Sequence, residues 1–204
     1  MTRVVVTLLV MGAFFAASWF VLPVEHVTVQ GNNHLPAALV ARLANADKGQ
    51  PWLWINPSRS AALEAHPWVR SAIITRRFAN SVEIQLNERV PAATIIKRDG
   101  SRVAVALDGT LLPNAVLPTV TIRGWGGNDA NNLKSALQIL SLLQKEDVKE
   151  ISYTPQGFSI LKGKSEKPGT IFTDSYASLL VHGGSVTMTA SLRVNIHPWG
   201  VSIQ

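Results

Sequence analysis

The chain has 204 residues, a net charge of +6 and no cysteine, which excludes a disulfide framework, a thiolate nucleophile and a cysteine-ligated metal. Basic residues outnumber acidic ones nine to five up to Lys97 and ten to eight beyond it, and no Lys/Arg run is longer than two. That spacing lacks the clustered stripe of a nucleic-acid binder and suits a protein held near an anionic membrane surface.

Residues 4–22, VVVTLLVMGAFFAASWFVL, carry no charge. As a helix they would be about 28 Å long, close to the roughly 30 Å of bilayer hydrocarbon, and a helix pairs every backbone polar group within itself. A transmembrane helix is expected over 4–22, with 1–3 as a cytoplasmic tail. A short n-region ending in Arg3 and the small residues Ala16, Ala17 and Ser18 also fit a cleaved signal peptide. The apolar run continues through Trp19 and Phe20 to Leu22, longer than a usual h-region and ending in an interfacial aromatic pair, which favours a retained anchor. Arg3 precedes the segment and the next basic residue is Arg42, so the N-terminus is expected in the cytoplasm.

After the anchor, residues 24–30 alternate with period two, as a half-buried strand does, and Gly31-Asn32-Asn33 ends it in a turn. Leu35, Leu39, Val40 and Leu43 fall at helical spacing behind Pro36, which suits a first turn. A second short helix is expected over 58–66 with Ser58 as its N-cap, stopped by Pro67. Two strands follow, 69–78 and 81–89, joined by a two-residue turn at Ala79-Asn80.

Four stretches here carry a resemblance: Val27-Thr28-Val29-Gln30-Gly31-Asn32, His66-Pro67-Trp68-Val69, Arg76-Arg77-Phe78 and Glu88-Arg89-Val90-Pro91-Ala92-Ala93. In that order and spacing the region resembles the POTRA module of the FtsQ/DivIB cell-division proteins. Ala79 departs from the pattern, which usually has proline there. The resemblance implies a bitopic protein with an anchor, a small βααββ POTRA domain over 24–92 and an FtsQ-type β domain over 93–204. The expected fold class is α+β, the second domain being mixed α/β and dominated by an antiparallel sheet.

The second half fits more loosely. Ile95, Val103 and Val105 alternate around an Asp99-Gly100 turn, and Asp108-Gly109 marks the next. A helix is expected over 132–146, from Leu133, Ala136, Leu137, Leu140 and Leu143. Strands are expected over 148–153, 158–161 and 170–172, with Gly157 and Gly163 at turns, then a short helix over 175–182. Strand material from 185 onward breaks at His197-Pro198-Trp199-Gly200. Leu192-Arg193 resembles part of an Asp-Leu-Arg family motif, with Ser191 in place of the aspartate.

Motifs for chemistry are missing from the sequence. Gly163-Lys164-Ser165 lacks the earlier glycine that a P-loop needs, since Phe158 stands five positions before Gly163. His26, His34, His66, His182 and His197 never fall three or four residues apart, and no serine sits in a nucleophile elbow. The chain is therefore expected to be no enzyme, with no catalytic residues, no cofactor, no metal and no small-molecule substrate. Trp68 is expected in a core, and Trp199 is open between core and interface.

Sheet edges remain as a means of binding, because an edge strand offers unpaired N–H and C=O groups to an extended partner. The last strand, 191–196 or 200–203, is the natural candidate, and it is equally open whether that edge is already paired. The resemblance implies that the end of the β domain binds the small division proteins FtsB and FtsL. The expected contact residues are Leu192, Arg193, Val194, Asn195, Ile196, Trp199, Val201 and Ile203. The implied protein is a single-pass scaffold of the inner membrane, with both domains outside the cytoplasm and enriched at the septum. Two other readings are a POTRA-bearing translocation or outer-membrane assembly component, and a secreted binding protein if 4–22 is cleaved.

Overall fold

The computed structural model describes residues 2–97, 99–124, 130–143, 147–154, 156–163, 169–175, 178–179, 181, 193–198 and 200–203, and within these not the side chains of 2, 3, 16, 18–21, 193 and 203. The chain divides into two compact units, Met1–Arg89 and Val90–Gln204.

The first unit opens with helix α1 (Thr2–Val21), 20 residues long. Its described side chains, those of 4–15 and Ala17, are all exposed. Among the described residues no helix is long and apolar enough to cross a membrane. The order that follows is β1 (His26–Gln30), α2 (Ala37–Ala44), α3 (Ser60–Glu64), β2 (Val69–Arg77) and β3 (Ser81–Glu88). This is the expected βααββ arrangement. The sheet runs β1-β3-β2, with β1 parallel and β2 antiparallel to β3. A parallel β1/β3 pair needs a long crossover, which the two helices and β2 provide.

Val40, Ala44, Leu63, Ile74, Val82 and Ile84 form the centre of this unit's core. Ile73 is 61% exposed, on the opposite face of β2 from Ala72 and Ile74. Val69 is nonetheless buried with Ala72, because a bulge between Val69 and Ser71 shifts the register by one residue. Asn45 ends α2 in the left-handed region at φ 54, which asparagine tolerates better than most residues.

Two local details differ from expectation. The cap ahead of α3 is Asn56 and not Ser58: the Ser58 backbone N–H donates to Asn56 Oδ1 at 2.9 Å, and a 3-10 turn (Pro57–Arg59) leads into the helix. The β2–β3 loop has three residues, Phe78, Ala79 and Asn80, since Arg77 pairs with Ser81, and Asn80 takes the positive φ of 67. Residues 52–54 form a 3-10 turn.

Two of the stretches that carry the resemblance, 66–69 and 88–93, meet in space. The Glu88 carboxylate accepts the backbone N–H groups of His34 and Leu35 at 2.7 and 3.0 Å, tying the end of β3 to the turn before α2. Arg89 donates from its backbone to Trp68 O at 2.8 Å and from its guanidinium to Pro67 O and Val69 O. Trp68, 6% exposed, stacks on His34 with centroids 3.6 Å apart. Gly31 sits at φ 78, and a Cβ there would run into the Leu86 carbonyl. Gly31→Ala is expected to cost about 1–3 kcal/mol, read as a lowered denaturation midpoint. Glu88→Ala strands two N–H donors and is expected to cost about 1–3 kcal/mol in the same measurement.

The second unit holds a nine-stranded mixed sheet in the order β12-β11-β10-β9-β8-β7-β4-β5-β6. Its strands are β4 (Pro91–Ile96), β5 (Arg102–Ala106), β6 (Leu111–Leu112), β7 (Thr121–Arg123), β8 (Val148–Thr154), β9 (Gly157–Lys162), β10 (Thr170–Thr173), β11 (Arg193–His197) and β12 (Gly200–Ile203). The pairs β4/β7, β7/β8 and β10/β11 are parallel, and the other five are antiparallel. Helix α4 (Ala130–Leu142) is the crossover for β7/β8. It buries Leu133, Ala136, Leu137, Ile139 and Leu140 against Ile95, Ile122, Ile151 and Ile160 of the sheet.

The Asp-Gly turns stand as expected. Gly100 and Gly109 have φ of 79 and 87, and Asp99 Oδ1 accepts both the N–H and the hydroxyl of Ser101. Those bonds hold the exposed Asp99 carboxyl below its ordinary range. Of the segments expected at 132–146, 163–165, 175–182 and 185–204, residues 144–146, 164–165, 176–177, 180, 182, 185–192, 199 and 204 lie outside the described residues.

Candidate partner-binding edge

A strand can bind an extended segment only if one of its sides is unpaired, so the sheet order selects the candidates. β11 has β10 on one side, in parallel, and β12 on the other, antiparallel. It is therefore interior, and of the two expected segments only β12 is terminal among the described residues. Within β11, Val194 and Ile196 are 2% and 0% exposed and belong to the core of the unit, while Asn195 is half-buried. Arg193 begins the strand. Leu192 and Trp199 lie outside the described residues, and of Ile203 only the backbone is described.

The register Val194↔Ile203, Asn195↔Ser202, Ile196↔Val201 and His197↔Gly200 fixes how β12 relates to the core. Directly paired residues share a face, so Val201 stands on the face that Ile196 buries. Val201 is 37% exposed. It thus extends the apolar layer to the rim of the sheet, where a further strand would cover it. Ser202 is exposed on the other face. Gly200 and Ser202 were absent from the expected contacts, yet strand addition works through the backbone, so both count as much as Val201. Period-two alternation over 200–203 was the signal that could have included them.

The β11–β12 turn is held at one end by His197, whose Nδ1 lies 4.0 Å from Asp174 Oδ2. A half-exposed pair of this kind contributes about 1 kcal/mol or less. The main attachment of the edge is the burial of Val194 and Ile196.

Two other edges, β6 and β2, are less suited. β6 has two residues. In the first unit β2 carries Arg70, Arg76 and Arg77 and a bulge, features that blunt an edge against pairing. β12, by contrast, carries Gly, Val, Ser and Ile with no charge. Among the described residues no three His, Asp or Glu side chains converge as metal ligands.

Comparison with known proteins adds an independent line. Residues 22–89 match the family of the POTRA domain, FtsQ-type. Cell division protein FtsQ of Corynebacterium glutamicum is 22% identical over 98% of this chain and 91% of its own length. Cell division protein FtsQ of Neisseria gonorrhoeae is 26% identical over 88% of this chain and 83% of its own. That of Neisseria meningitidis is 26% identical over 88% and 86%. The first unit thus matches the FtsQ-type POTRA family, and the chain is similar to FtsQ cell-division proteins along most of its length.

Proposed function

We propose that the chain is a non-enzymatic, single-pass scaffold of the bacterial division machinery, which captures FtsB- and FtsL-type partners by strand addition at β12. The observation that supports this most is an uncharged strand that is terminal, among the described residues, on a nine-stranded sheet and fastened through the buried Val194 and Ile196 of its neighbour. Backbone groups of Gly200–Ile203 would supply affinity, and the rim at Val201 would take alternate apolar side chains of the partner.

In this reading α1 is the anchor. Its support is the uncharged run 4–22 of the sequence, about 28 Å long as a helix, together with the exposed and almost wholly apolar side chains from Val4 to Phe15. The N-terminus would lie in the cytoplasm. The POTRA domain, closing at Arg89, and the β domain, opening at Val90, would lie outside the inner membrane and gather at the septum.

The test is co-purification of the full chain with FtsB- and FtsL-type proteins from membranes of the same cell. A complex that forms with wild-type chain and not with a chain altered at Val201 supports the reading. No complex with the wild-type chain overturns it. Removing 192–204 would be a poorer test, because it also removes the core residues Val194 and Ile196.

A further inference from the structure

The region just after α1 has an apolar surface that neither unit's core explains. Trp52 donates its backbone N–H to Leu22 O at 2.8 Å, and Pro23 bridges to Pro51, so the 51–55 loop is fastened beside the end of the helix. Leu53 and Trp54 are 45% and 42% exposed, and Phe78, in the β2–β3 loop, is 88% exposed. The two loops are joined. Trp52 and Phe78 meet edge to face at 6.2 Å, and Trp52 Nε1 donates to Ser81 O at 2.9 Å. Arg76 lies 5.7 Å over the Trp52 ring and donates to Leu53 O at 2.8 Å.

The position along α1 decides what covers this surface. Trp54 packs edge to face on Phe15, with centroids 4.6 Å apart. Phe15 precedes Val21, the end of the helix, by six residues, or about 9 Å of rise. The Trp54 ring therefore reaches back along the helix by more than a turn. If α1 crosses the bilayer, that ring sits at the depth where amphipathic segments bury their apolar face, about 5–10 Å below the headgroup boundary.

We infer that Leu53, Trp54 and Phe78 form a membrane-inserted wedge of the POTRA domain, and that the exposed Arg76 and Arg77 above them meet the phosphates of anionic lipid. Trp and Phe suit the interface because their rings tolerate both the acyl and the wet zone, and arginine near an anionic surface is drawn to it. Arg77 is also paired with Glu83 at 3.1 Å, on the exposed face of β3. The wedge would fix the tilt of the POTRA domain against the membrane, where a bare anchor would leave it free to swing. The inference rests on the reading of α1 as an anchor.

The native chain has no cysteine, so single nitroxide labels can be placed without background. The full-length protein is reconstituted in phosphatidylethanolamine/phosphatidylglycerol vesicles with labels at Leu53→Cys, Phe78→Cys, Leu8→Cys or Asn87→Cys. Collision with oxygen and with a water-soluble nickel chelate is then measured. The expected result is that labels at 53 and 78 resemble the label at 8, with oxygen collisions kept and nickel collisions reduced several-fold relative to the label at 87. A lipid-type signal at 8 with free nickel access at 53 and 78 overturns the wedge and leaves the anchor standing. Shielding of 53 and 78 from both reagents means a protein covers them, which also overturns it. Free nickel access at 8 overturns the anchor and the wedge with it.

Discussion

Val201→Lys is expected to remove capture of an FtsB- or FtsL-type partner while leaving the β domain folded. Val201 lies at the rim of the sheet, paired with Ile196 and on the same face. A partner strand added to β12 would lie over this side chain, and a lysine there would have to shed its water on binding. Charge on an edge strand is a general device against strand addition. The expected loss is about 2 kcal/mol or more, at least thirtyfold in Kd, the size of a hot-spot residue. The fold should change by about 1 kcal/mol or less, because the lysine stem still covers Ile196 while its charge reaches water. Titration calorimetry with a purified partner and a thermal melt of the free protein separate the two effects. Ser202→Ala should leave binding near the wild-type value, since β12 contributes chiefly its backbone there.

The largest expected effect on stability is in the POTRA domain. Trp68→Ala removes a ring that is 6% exposed and stacked on His34, and it loosens the turn to which Glu88 is bonded. Truncating a buried aromatic costs about 3–5 kcal/mol, a large part of the roughly 5–15 kcal/mol that holds a domain together. The expected outcome is a POTRA domain that melts well below the wild type in a temperature scan. Trp68 and Glu88 meet at His34, so their effects should not add: Trp68→Ala with Glu88→Ala is expected to cost less than the sum of the two.

Much of both units was legible because the signals are local. Val82, Ile84 and Leu86 alternate, and β3 buries all three. Leu133, Leu137 and Leu140 recur at helical spacing, and α4 buries them. The Asp-Gly pairs at 99–100 and 108–109 need positive φ at the glycine, which the turns adopt. What failed was non-local or brief. β7 has three residues, too few for a period to register, and its parallel place between β4 and β8 depends on the α4 crossover. The inward position of Val69 comes from a bulge set by pairing with β3.

The candidate edge was legible only as a pair of segments near the chain's end. Arg193–His197 and Gly200–Ile203 read alike as apolar strand, and their alternation does not say which is interior. The parallel pairing of β10 with β11 does, by joining residues far apart in sequence. It puts Val194 and Ile196 in the core and leaves β12 terminal among the described residues. The family pattern at 66–69 and 88–93 has a spatial reason: Arg89 bonds to the backbone of 67–69, and Glu88 to the turn at 34–35.

Hydrogen exchange at the backbone amides of 200–203, with and without a bound FtsB- or FtsL-type partner, tests strand addition most directly. Protection of β12 should rise on complex formation, because its outward N–H groups gain carbonyl acceptors from the partner. A complex that forms with exchange at 200–203 unchanged would contradict the account.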